Sequence, residues 1–83
     1  MNHTRELVER ELYAELGEQA GAFTAESRHH LGPIRAELER GAAQIRLVRE
    51  LYWSGSISAL AALDWLNTGR AMIEALRTWP VAG

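Results

Sequence analysis

Residues 33–77 read PIRAELERGAAQIRLVRELYWSGSISALAALDWLNTGRAMIEALR, and this stretch decides the fold. In its first half Ile34, Leu38, Gly41, Ile45, Val48 and Tyr52 recur at steps of 4, 3, 4, 3 and 4. An α-helix turns once in about 3.6 residues, so these positions fall on one stripe. Leu47 and Leu51 widen the stripe, while Arg35 with Glu39 and Arg46 with Glu50 stand four residues apart on the solvated side. The small residues Gly41, Ala42 and Ala43 offer a place where another helix can come close. In the second half Ala59, Ala62, Leu66, Gly69, Ile73 and Leu76 make another stripe. A second apolar face carries Trp65, Met72 and Trp79 at seven-residue steps, and Leu60 and Leu63 add to it. A helix that is apolar on more than one side must be covered on more than one side.

Between the halves stands Ser54-Gly55-Ser56. Glycine there can take the left-handed conformation that ends a helix, and Ser56 or Ser58 can cap the next one. So short a connection makes the two helices hairpin neighbours. Upstream, Gly32-Pro33 is a break, because proline disfavours helix at the residue before it and suits the first turn after it. The segment before the break carries Leu7 or Val8, Leu12, Leu16, Ala20 and Phe23 on one stripe, opened by Thr4 as N-cap. Gly17 and Gly21 interrupt it, each at about 1 kcal/mol against alanine. The alternation of a half-buried strand is missing throughout.

The expectation is an all-α fold: one three-helix domain over residues 1–83, with helices at about 4–29, 33–53 and 58–77. The second and third form a hairpin, and two copies are expected to assemble as a dimeric helical bundle. A chain of 83 residues buries only about 60–65% of its unfolded surface, which leaves a thin margin that association would widen.

Composition narrows the function classes. The chain is 47% hydrophobic and 24% charged, an ordinary globular balance. It has no cysteine, so disulfides and thiolate chemistry are excluded, and a reducing compartment suits it. Residues 1–26 hold two arginines and six glutamates, against seven arginines and five acids in the remainder. Neither part has the basic excess of a nucleic-acid binder. The first apolar residues sit among charges with no signal-peptide core, and the longest apolar stretch, residues 57–66, is too short for a membrane span. The expected location is the cytoplasm, with no membrane partner.

Candidate chemistry is sparse. Ser54, Ser56 and Ser58 have no ordered base nearby in sequence and read as turn and cap residues, so no enzyme is expected. Glu26-Ser27-Arg28-His29 has the Glu-x-x-His spacing of di-iron helical bundles, making Glu26 and His29 metal candidates, which a homodimer could double with Glu11 or Glu15 as partner. A complete site needs further glutamates and a second such motif, and a charged helix end is the plainer reading; no cofactor is expected. The helix–short turn–helix arrangement suggests a DNA-associated antitoxin- or repressor-like dimer as an alternative, with Arg28, Arg35 and Arg49 toward one side. Its second helix lacks the polar and basic face of a recognition helix, so nucleic acid is not the expected direct ligand. Trp53-Ser54-Gly55 resembles the Trp-x-Gly turn of small secreted helical hairpins, but the arm after it is short and no tyrosine follows Tyr52 to supply their export signal.

The leading expectation is a non-catalytic regulator, adaptor or inhibitor that binds another protein sterically through an apolar helical surface. The interface residues expected are Ile45, Val48 and Tyr52 of the second helix. In the third they are Trp65, Leu66, Met72, Ile73, Leu76 and Trp79, since large aromatics carry much of the energy of interfaces. Glu11 and Glu15 form a possible acidic contact face.

Overall fold

A computed structural model of the chain describes residues 3–78, with side chains from residue 8 onward. It contains three helices, α1 (His3–Ser27), α2 (Gly32–Trp53) and α3 (Ala59–Thr78), and no strand among the described residues. The boundaries between the helices have local causes. At the end of α1 the Ser27 hydroxyl donates to the Thr24 carbonyl at 2.6 Å. The N–H groups of His29 and His30 then close tight turns onto the Glu26 and Ser27 carbonyls at 3.0 and 3.2 Å. The helix therefore stops two residues before the end expected near residue 29. Gly32 takes φ +63°, a value closed to most side chains, and Pro33 opens the first turn of α2.

The end of α2 is a Schellman motif. Ser56 N–H bonds the Leu51 carbonyl at 2.8 Å, Gly55 N–H bonds the Tyr52 carbonyl at 3.1 Å, and Gly55 has φ +80°. Ser58 then caps α3, its hydroxyl accepting from the Ala61 N–H at 3.1 Å.

Cross-helix pairs give the directions. Arg49 lies against Tyr13 while Arg46 reaches Thr24, so α2 runs antiparallel to α1. Arg70 pairs with Glu15 at 3.7 Å and Arg77 with Glu26 at 3.3 Å, so α3 runs parallel to α1. One end of the core joins Leu12, Leu16 and Ala20 with Ile45, Val48, Ala62 and Leu66. The other end gathers Leu38, Ala42 and Ile73 around Phe23.

Phe23 explains two glycines. A Cβ on Gly41 would lie 2.6 Å from two carbons of its ring, and one on Gly69 would lie 3.1 Å from a third. The aromatic ring is thus wedged between the backbones of α2 and α3. The close helix approach read from Gly41, Ala42 and Ala43 is made by α1, through one side chain.

Candidate functional site

The expected interface residues separate by depth. Ile45, Val48, Leu66 and Ile73 are buried in the chain's own core, and Tyr52 and Leu76 are half-buried. Trp65 and Met72 remain 43% and 46% exposed. Trp79 lies outside the described residues. Of the two apolar faces of α3, the one carrying Ala62, Leu66, Gly69 and Ile73 turns inward. Its glycine is what admits Phe23 and the side chain of Gln19.

Among the described residues, exposed apolar side chains gather where α1 and α3 begin. Because the two helices run parallel, Val8 and Leu12 come beside Ala59, Leu60 and Leu63, and together they line a groove of about 290 Å³. Glu11 and Glu15 stand on its wall, so the acidic pair singled out from charge rims an apolar floor. Leu60 and Leu63 also line a second depression, of about 470 Å³, whose polar members include Asp64 and Asn67. They form a ridge between the two. Leu60 is 77% exposed, Val8 54% and Leu63 40%. Fully burying an exposed leucine is worth at most about 1.5–3 kcal/mol, and Val8 and Leu63, already partly covered, have less to gain than Leu60. The sequence signal for Leu60 is its position off the buried stripe of α3, close to the capping Ser58.

Glu26 is held in a different way from the spacing that marked it. Its carboxylate is buried at 7% exposure. His30, not His29, donates to it through Nε2–H at 2.9 Å, and Arg77 donates to its other oxygen through Nε at 3.3 Å. His30's hydrogen bond holds the carboxyl below its ordinary range, against the desolvation that pushes it up, and Arg77 adds to the lowering. His29 is exposed. Both carboxylate oxygens are occupied and a guanidinium adjoins them, an arrangement suited to clasping α1, the turn and α3 rather than to receiving a cation. Among the described residues no three histidine or acidic side chains come together as metal ligands.

Of the arginines of the nucleic-acid alternative, Arg28 is exposed while Arg35 and Arg49 are engaged. Arg49 lies 3.9 Å over the Tyr13 ring and donates to the Tyr13 carbonyl, and Tyr13 in turn packs on Trp53 with centroids 4.5 Å apart. Arg35 pairs with Glu39 at 3.7 Å. The turn serines bond locally: Ser54 donates to the Leu51 carbonyl at 3.1 Å and lies 2.9 Å from the Ser56 hydroxyl. Among the described residues no helix is long and apolar enough to cross a membrane. No protein-family model, no curated protein and no solved structure matches the chain.

Proposed function

We propose that the protein is a small non-catalytic binding module, a regulator, adaptor or inhibitor that works in the cytoplasm as a homodimer and blocks or bridges another protein sterically. The observation that carries this reading is the acid-rimmed apolar ridge of Leu60 and Leu63, with Leu60 77% exposed. Its floor is apolar and its charged lining residues, Glu11, Glu15 and Asp64, are acidic, with Glu15 ion-paired to Arg70 at 3.7 Å. The occupant that fits is an amphipathic segment of another protein whose apolar side chains are flanked by arginine or lysine. The leucines would supply the buried contact, and the acids would steer encounter and fix orientation.

The test compares affinity capture by the wild type, by Leu60→Glu and by Leu47→Glu, in low and moderate salt. Leu47 is an equally apolar, 59% exposed residue on α2 and serves as the control. The reading expects one captured protein that survives Leu47→Glu, is lost with Leu60→Glu, weakens with salt and binds through a basic segment. Capture that ignores Leu60→Glu, or that delivers nucleic acid instead, contradicts it.

A further inference from the structure

On α3 the positions Ala61, Trp65, Thr68, Met72 and Ala75 are all exposed and follow one another at steps of 4, 3, 4 and 3. They make a straight seam about 21 Å long at about 1.5 Å per residue. None carries a charge. The charged residues of α3, Asp64, Arg70, Glu74 and Arg77, all lie off the seam. This is a helix-packing face with no helix of the bundle upon it, since Ala62, Leu66, Gly69 and Ile73 already meet α1 and α2.

We infer that this seam is the interface of the homodimer, with α3 packed antiparallel against α3 of a second copy about a two-fold axis. The inference rests on the self-association proposed above and assigns its face and direction. Two observations choose the occupant. The first is charge. A two-fold pairing sets a surface against itself, so the groove would bring Glu11, and Glu15 with its Arg70 partner, against their own copies, whereas the seam has no charge to oppose.

The second is size. The residues at one set of alternate positions are small (Ala61, Thr68, Ala75), and those between them are large (Trp65, Met72). Parallel pairing stacks like on like, giving layers of two tryptophans and layers of two alanines. Antiparallel pairing lets each layer hold one large and one small side chain, which fills the space evenly and lets the helices approach. In that arrangement Trp65 of one copy packs beside Thr68 or Ala75 of the other, and Met72 beside Ala61 or Thr68.

The absence of cysteine makes the test direct. Three single-cysteine proteins, Ala61→Cys, Thr68→Cys and Ala75→Cys, are treated with a short bis-maleimide, each alone and in the mixture of the first with the third. Sedimentation equilibrium runs alongside on the wild type and on Thr68→Arg, a charge placed at an exposed position that leaves the monomer's core untouched. The expected results are a mass twice the 9.3 kDa chain and a dissociation constant raised at least ten-fold by Thr68→Arg. Thr68→Cys should cross-link alone, while Ala61→Cys and Ala75→Cys should cross-link only in the mixture. A dimer that Ala61→Cys alone can cross-link is parallel and overturns the direction. A dimer indifferent to Thr68→Arg and to every seam cysteine overturns the face while self-association stands. A monomer at all concentrations overturns both.

Discussion

Replacing one glycine by alanine should stabilise this protein at one place in α1 and destabilise it at another in α2, and the structure sets the difference. At Gly21 nothing lies within 4 Å of the added methyl, so the change removes backbone freedom from the unfolded chain and gains about 1 kcal/mol. At Gly41 the same gain meets Phe23, two of whose ring carbons would be 2.6 Å from the new atom. Carbon atoms rest about 3.5–4.0 Å apart, so the ring must retreat by about 1 Å. It is 2% exposed, and across from Gly41 it already abuts Gly69, where a Cβ would lie 3.1 Å from it. Overpacking of this kind costs about 1–3 kcal/mol, which outweighs the propensity gain. The two variants should therefore differ by that overpacking cost, about 1–3 kcal/mol. At about 4–8 °C per kcal/mol for a domain of this size, that places the Gly21→Ala midpoint well above wild type and the Gly41→Ala midpoint below it. Thermal unfolding followed by circular dichroism, with urea titration for the free energies, reads both. Adding Phe23→Leu should relieve Gly41→Ala and leave Gly21→Ala unaffected, a non-additivity confined to the contacting pair. If Gly41→Ala proves as stable as Gly21→Ala, the wedge described for Phe23 is refuted.

Two further outcomes follow from buried polar groups. Glu26→Gln should lower stability at neutral pH by about 1.5–3 kcal/mol, because hydrogen bonds to a charged group are lost. The folded-state pKa of Glu26 lies below its ordinary 4.5, so its contribution is full above that value and disappears as pH falls through the lowered one. Denaturation midpoints of the two proteins should therefore converge in acid, and a constant gap would contradict the clasp. Gln19→Met should raise stability by about 1 kcal/mol, since the buried Gln19 Nε2 has no hydrogen-bond partner and methionine has a similar shape. A loss of stability on urea titration would show that this amide is satisfied.

What the sequence made legible was what the backbone itself demands. Gly32-Pro33 and Ser54-Gly55-Ser56 announced their breaks because a positive φ and a fixed proline ring leave few alternatives. The buried stripe of α2 was readable from spacing alone. The inward face of α3 was not, because Trp65 and Met72 repeat as regularly as Leu66 and Ile73. What chooses between them is Gly69, whose missing side chain admits a ring from α1, and no local pattern carries that information. Glu26 was noticed through His29, three residues on, yet the helix ends at Ser27 and the turn delivers His30 instead. Glu11 and Glu15 were legible only as charge. The apolar floor beside them exists because α1 and α3 run parallel, a tertiary fact that brings Val8 to Leu60.

Whether the ridge at the start of α3 docks a protein can be read with a photo-cross-linking residue placed at position 60 and, for comparison, at position 47 in the native host. Position 60 should give a discrete protein adduct, mapped to a segment rich in arginine or lysine, and position 47 none of that species. Equal labelling from both positions, or none from position 60 while the protein is folded, would contradict docking at this ridge.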